Sequence, residues 1–194
     1  MTVSEYQLLL HSEFEERFGL ETKTEWRSKM KRGLYAPRLD LALGPFAIED
    51  GSQKTDEHLD LFHIYKDFFE QLTRIHLENL QIITGQTTPE NQNELIARKM
   101  NSLEFTNYNA RCFIAIEIEN NVSRKHLMGG AINAATLGKV GIAVGFNDTK
   151  HRAFLNLYRY FEFLHDVGKP TFNTNNLLII SKDQLLTTLT NHCQ

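Results

Sequence analysis

The second half of the chain alternates between apolar runs and amphipathic segments. Nearly continuous apolar runs occupy residues 111 to 119, 139 to 146 and 175 to 181, and each is followed by a segment with helical spacing of its apolar residues. Apolar runs of this length are typical of strands that are covered on both faces. The order strand, helix, strand, helix, strand, helix predicts a largely parallel or mixed sheet between helices. We therefore predict an α/β fold.

The first 45 residues predict one helix and one strand. Residues 4 to 19 have the pattern of an amphipathic helix, with Ser4 as its N-cap and Gly19 as its C-cap. Residues 38 to 43 alternate around an aspartate and are followed by Gly44-Pro45, which indicates a strand that ends there.

The middle of the chain is predicted to be helical. Apolar residues keep helical spacing from residue 56 to 83, and Gly85 follows as a stop, so one long helix is expected. Thr88, followed by proline, predicts the start of a shorter helix that runs to about Met100. Residues 101 to 109 are then expected to form a connection.

Size and composition suit one globular domain that spans residues 1 to 194. The chain has 41% hydrophobic residues and a net charge of −3, so it can bury a core without disulfides. Charges occur early in the first residues, and no apolar stretch approaches the roughly 20 residues that span a bilayer. Cys112 and Cys193 lack metal or CxxC spacing and are expected to be free thiols. We expect a cytoplasmic protein without membrane contact.

Two glutamates, Glu117 and Glu119, end the first of these apolar runs. Side chains two residues apart in a strand share a face, and like charges there need water or a counter-charge. A solvated strand end would satisfy them, and so would a divalent metal. If the strand that carries Asp40 lies alongside, three carboxylates converge, and Mg²⁺ prefers such ligands together with water and substrate phosphate. This arrangement favours metal-assisted hydrolysis of a phosphodiester.

A cationic segment between residues 23 and 38 stands out in this acidic chain. It holds six cations against one anion, Glu25. The segment is interpreted either as a solvated loop or as a patch that binds phosphates. Its cations are Lys23, Arg27, Lys29, Lys31, Arg32 and Arg38.

The order of these features resembles the PD-(D/E)XK nuclease superfamily, which includes restriction endonucleases and Holliday-junction resolvases. A helix, then "YAPRLD", then an apolar strand ending in "EIE", then a helix with a basic start and a further strand carry the resemblance. It covers about residues 4 to 146, with a helical insertion at about 55 to 100. The resemblance implies a restriction-endonuclease-like fold, in which a central mixed sheet is flanked by helices.

The resemblance also assigns roles to the acids. Asp40 corresponds to the metal-binding aspartate of the superfamily and Glu117 to its second metal ligand, while Glu119 stands where a lysine is most common. Some restriction enzymes with glutamate at that position are active, so Glu119 is expected to assist the metal or the water. Pro37 lies three residues before Asp40, whereas the superfamily has the proline adjacent.

Further residues are candidates through the same resemblance. Lys125 is predicted to replace the missing lysine and to orient water, and Arg124 to contact phosphates. His126 is a candidate base or phosphate contact. Glu13 or Glu16 would extend the acidic cluster from the first helix. The alternative for each is an ordinary exposed side chain on a helix.

The resulting hypothesis is an endodeoxyribonuclease that depends on Mg²⁺, with Mn²⁺ as the alternative ion. DNA is the expected partner, and cutting both strands implies a homodimer, through helix 56 to 83 or helix 150 to 166. No G-x-S-x-G, P-loop or zinc-ligand spacing supports another chemistry. The alternative hypothesis is a non-catalytic module that binds nucleic acid or protein and retains the nuclease fold.

Overall fold

A five-stranded sheet lies between two layers of helices. We describe the protein from a computed structural model, in which the described residues are 1–28, 36–48, 53–85, 91–120, 124–169 and 172–192. No helix among them is long and apolar enough to cross a membrane.

The sheet is mixed, as predicted. Its strands occur in the order β1-β2-β3-β4-β5, so β3, with its glutamates, is central. The pairings of β1 with β2 and of β2 with β3 are antiparallel, and the other two are parallel. The strands are β1 Thr22–Arg27, β2 Arg38–Leu43, β3 Cys112–Glu119, β4 Gly138–Gly145 and β5 Leu177–Ser181.

Strand β1 was not predicted. Its sequence, TKTEWR, lies in the cationic segment, and the loop interpretation is wrong for these residues. The strand exists because it pairs with β2 along almost its whole length and buries Trp26 against the sheet. Pairing and burial therefore outweigh the weak local signal.

Seven helices within the described residues cover the two faces of the sheet. One core lies under α1, α2, α3, α4 and α7, and the other lies under α5 and α6. The helices are α1 Val3–Phe18, α2 Thr55–Ile64, α3 Lys66–Thr84, α4 Gln92–Phe105, α5 Arg124–Leu137, α6 Asp148–Asp166 and α7 Lys182–Asn191.

The first helix begins at a different cap from the predicted one. Thr2, and not Ser4, is the N-cap, because its side chain accepts from the amide of Glu5 while the Glu5 carboxylate accepts from the amide of Thr2. This reciprocal pair is a capping box, which satisfies two amides at the start of the helix. The predicted C-cap at Gly19 is confirmed, with φ at 60°.

The predicted long helix is two helices, divided at Tyr65. The Tyr65 hydroxyl donates to the carbonyl of Phe18 over 2.7 Å, and the two rings stack with their centroids 4.1 Å apart. These contacts with the end of α1 hold Tyr65 away from ideal helical geometry, at φ −99° and ψ 24°. Gly85 ends α3, as predicted.

Helix α4 runs further than its sequence pattern indicates. It continues past Met100 to Phe105, and the start predicted at Thr88 lies outside the described residues. Buried Lys139 donates to the carbonyls of Glu104 and Thr106 over 2.5 and 2.9 Å. A cation that satisfies the last carbonyls stabilises the C-terminal end of a helix.

Glycines allow α5 and α6 to pack closely on β4. A Cβ at Gly141 would lie 2.7 Å from the backbone of Ala134 in α5, and one at Gly145 would overlap the backbone of His151 in α6. Glycine at these two positions therefore admits close packing of the helices on the strand. Because α5 is held so near the sheet, its side chains reach the end of β3.

Candidate functional site

Strands β2 and β3 stop pairing at Asp40. The last pair of their ladder on this side is Leu41 opposite Ile116, so Asp40 comes next on β2. Its Oδ2 accepts a hydrogen bond from the backbone amide of Ile118 over 2.7 Å. A side-chain oxygen therefore takes the place of a backbone carbonyl, and this bond fixes the carboxylate where the two strands separate.

Glu117 is the residue opposite Asp40 when the ladder register is continued by one step. Burial raises the pKa of Glu117 to about 9, and the negative charge of Asp40 acts in the same direction. Burial also raises the pKa of Asp40, although the hydrogen bond from Ile118 opposes this shift. Two carboxyl groups are thus held together in surroundings that disfavour two negative charges.

Helix α5 passes directly over the Glu117 side chain. A Cβ at Gly130 would lie 3.5 Å from Oε2 of Glu117, and Asn133 Nδ2 donates to Oε1 of Glu117 across 3.5 Å. The hydrogen bond from Asn133 lowers the pKa of Glu117 and so partly offsets the burial. Asn133 is a site residue that the sequence did not single out, because only the packing of α5 brings it to the strand.

Glu119 lies at the margin of this pair. It is partly buried, and its charge raises the pKa of both Asp40 and Glu117. In the described part of the chain, no group of three or more His, Cys, Asp or Glu side chains is arranged to hold a metal ion. The acids that the fold brings together are therefore a pair, Asp40 and Glu117, with Glu119 nearby.

Strand β1 adds a third acid to the surroundings of Asp40. Glu25 has a positive φ of 52°, and its charge raises the pKa of Asp40. Its carboxylate pairs with Arg38 Nε over 2.7 Å and accepts from Gln7 Nε2 over 3.4 Å. Sequence reasoning could not find Glu25 or Gln7, because β1 was not predicted and Gln7 lies on the buried face of α1.

The two glutamates proposed from the first helix, Glu13 and Glu16, lie on α1. Glu13 pairs with Arg17 of the same helix over 2.8 Å. Neither Glu13 nor Glu16 is among the charges that shift the pKa of Asp40 or Glu117. Gln7 is instead the side chain of α1 that reaches the neighbourhood of the acids, through Glu25.

The described cations of the basic segment lie on the β1–β2 hairpin. Arg27 and Arg38 are opposite each other in the ladder, two residues along β2 from Asp40. Lys23 pairs with Glu21 over 2.8 Å, and its Nζ lies 4.4 Å from the centroid of the Phe46 ring.

The remaining predicted cations cannot be compared with the structure. Lys29, Lys31 and Arg32 lie outside the described residues, as do the side chains of Arg124 and Lys125. His126 is exposed on the first turn of α5.

Comparison of the chain with models of protein families, with curated proteins and with solved structures gave no match. Fold and site together define an α/β protein with a carboxylate pair at the point where strands β2 and β3 stop pairing. Since a fold by itself does not establish an activity, the function is argued from the chemistry of this pair.

Proposed function

We propose that this protein is a metal-dependent endonuclease that hydrolyses DNA phosphodiester bonds on a restriction-endonuclease-like fold. The observation that carries the proposal is the Asp40–Glu117 pair, in which two carboxyl groups lie together and the pKa of one is raised to about 9. A bound cation would remove this electrostatic cost, and the fixed position of Asp40 supplies a ready oxygen ligand.

The order of elements supports the same proposal. Helix α1, strand β2 with Asp40, strand β3 with the EIE sequence, helix α5 and strand β4 follow one another in the order that the resemblance implies, and β1 is an additional strand between α1 and β2. Helices α2, α3 and α4 are inserted between β2 and β3 and pack on the face of the sheet opposite α5. The insertion therefore leaves Gly130 and Asn133 of α5 as the residues that cover Glu117.

The donor set fits a hard divalent cation. Mg²⁺ binds through one or two carboxylates, keeps several waters and completes its shell with substrate phosphate, so a pair is sufficient. When bound, such an ion lowers the pKa of a water and stabilises negative charge on a phosphodiester. Asp40 and Glu117 would hold the ion, Ile118 and Asn133 orient their carboxylates, and Glu119 adds negative charge. The roles of Lys125 and Arg124 in orienting water and contacting phosphate are part of the proposal.

Cations close to the acids support a nucleic-acid substrate. Arg27 and Arg38 lie near Asp40 on the hairpin, and the segment that joins β1 to β2 contains Lys29, Lys31 and Arg32. Such cations bind phosphates without regard to base sequence. Cleavage of both strands would need two copies of the site, and we therefore propose a homodimer.

Cleavage assays test the proposal. Purified protein is incubated with supercoiled, linear and single-stranded DNA in Mg²⁺, in Mn²⁺ or in EDTA, alongside Glu117→Ala. Glu78→Gln, which changes an exposed glutamate on α3, is the matched control. We expect cleavage in the metal-containing buffers that is lost in EDTA and in Glu117→Ala and retained in Glu78→Gln. Absence of cleavage on all three substrates, or full cleavage by Glu117→Ala, would contradict it.

Two observations favour the alternative of a non-catalytic binding module. Glu119 stands at the usual lysine position, and the chain has an acidic net charge of −3. A binding module predicts that affinity for DNA or for a protein partner is the same in EDTA and unaffected by Glu117→Ala. Filter binding or anisotropy in parallel with the cleavage assay distinguishes the two functions.

A further inference from the structure

A concave surface lies on the other side of α5 from the acids. Met128 and Ile132 of α5 line it, and these residues are two positions before and after Gly130, which contacts Glu117. Two residues correspond to about 200° around a helix, so the two sites face opposite ways. The cleft has a volume of about 630 Å³ and is closed by α6 and by residues 172 to 175.

Aromatic rings form much of this cleft. Tyr158, Tyr160 and Phe161 of α6 line it together with Phe172. Tyr160 and Phe172 are 47% and 49% exposed, which is unusual for large apolar side chains in one place. Contiguous exposed apolar surface of this kind often marks a binding site. Aromatic rings in the wall of a cleft can attract a cation to their faces.

The charges that line the cleft are acidic. Glu162 and Asp166 lie one turn apart on α6, and the lining includes no lysine or arginine. Neither carboxylate makes a hydrogen bond or an ion pair in the part of the chain that the structure describes, although Lys99 and Arg159 act on Glu162 electrostatically. Two acids at this spacing repel each other. A cation between them would relieve this repulsion, and an anion would increase it.

The floor of the cleft provides a hydrogen-bond donor. The Tyr158 side chain is 7% exposed, and its hydroxyl oxygen accepts from Lys99 Nζ over 2.8 Å. Lys99 also donates to the carbonyl of Asn175 over 2.8 Å, so the ammonium is held between this carbonyl and the Tyr158 hydroxyl. Tyr158 lines the cleft, and its hydroxyl proton has no acceptor among the described residues.

We propose that this cleft binds a small organic ammonium ion that also carries a hydroxyl or ether oxygen. The ring faces would surround the charge, Glu162 and Asp166 would neutralise it, and the Tyr158 hydroxyl would donate to the oxygen. The volume is in the range of sites that take up a whole small ligand. This site is independent of the proposed nuclease function, because α5 separates it from Asp40 and Glu117.

The test uses choline and its uncharged isostere 3,3-dimethylbutan-1-ol, which differ only in the charged nitrogen. Binding of each to the full chain is measured by calorimetry and by chemical-shift changes. We expect choline to bind at least tenfold more tightly than the isostere, and Glu162→Gln and Phe172→Leu each to weaken choline at least fivefold. Glu78→Gln, which carries the same chemical change on α3, should leave choline binding unchanged.

Both substitutions in the cleft replace exposed side chains, so the variants should fold, and circular dichroism verifies this. Equal affinity for choline and the isostere would overturn the proposal, because a site for cations must discriminate by charge. Undiminished choline binding by Glu162→Gln, or no choline binding at millimolar concentration, would overturn it as well.

Discussion

At the scale of single residues, Asp40 has both a structural role and a role in the chemistry of the site. Its Oδ2 is the hydrogen-bond partner of the Ile118 amide, and its charge acts on Glu117. A backbone amide of a buried residue without a partner costs free energy, so this aspartate contributes to folding as well as to the site. Substitutions at Asp40 can separate its structural role from its chemical role.

Asp40→Ala and Asp40→Asn should differ in stability. The alanine variant leaves the Ile118 amide without its acceptor and should lose about 1–3 kcal/mol of unfolding free energy. The asparagine variant retains an oxygen acceptor and removes the repulsion with Glu117, so its stability should equal or exceed that of the wild type. Denaturant unfolding of the metal-free proteins measures both. Equal stability of the two variants would show that the bond from Ile118 contributes nothing.

At the scale of elements, the distance between α5 and the sheet sets the geometry of the site. Gly141 of β4 allows the backbone of Ala134 to approach, whereas Gly130 of α5 faces the Glu117 carboxylate at an ordinary contact distance. The two glycines therefore have different tolerance for a methyl group, although both lie at the same helix–sheet interface.

Gly141→Ala should destabilise the protein, and Gly130→Ala should not. A Cβ at Gly141 would be 2.7 Å from backbone atoms of α5 that cannot move independently, and overpacking of this kind costs about 1–3 kcal/mol or more. Alanine at position 130 meets Glu117 at 3.5 Å and favours the helix by up to about 1 kcal/mol. Thermal and denaturant unfolding measure these changes. A Gly141→Ala variant with the same free energy of unfolding as the wild type would mean that α5 is free to move away from β4.

The elements that the sequence predicted are those with a strong local pattern. The apolar strands β3, β4 and β5 have such patterns, and the structure confirms them. Strand β1 and the division at Tyr65 depend on contacts with distant residues, which are β2 in one case and Phe18 in the other. Local propensity carries no information about such contacts.

The residues of the candidate site also divide into those that a local sequence pattern predicts and those that only distant contacts bring there. Asp40 and Glu117 could be chosen because each is an acid in an apolar strand, and the structure places them side by side. Asn133, Glu25 and Gln7 could not, because helix packing brings Asn133 to Glu117 and the pairing of β1 brings Glu25 and Gln7 near Asp40.

At the scale of the whole molecule, the two faces of the sheet have different roles. The inserted helices build one core, in which Phe68, Phe69 and Leu72 of α3 are fully buried within the chain. These side chains are therefore not available to a second copy. On the other face, α5 covers the acids and α6 exposes Tyr160 and Phe163. The apolar face of α6 is buried in the same way, because Phe154, Leu155 and Tyr158 pack in the other core, and the homodimer contact through either helix stays a prediction.

The proposed nuclease activity requires that Asp40 and Glu117 hold a divalent cation. Calorimetric titration of the metal-free protein with Mn²⁺ measures this directly, with Glu117→Ala and Asp40→Asn as test variants and Glu78→Gln as the control. We predict saturable binding by the wild type and by Glu78→Gln, and at least tenfold weaker binding by each test variant. Absence of Mn²⁺ binding by the wild type, or equal binding by Glu117→Ala, would contradict the metal site and favour the non-catalytic module.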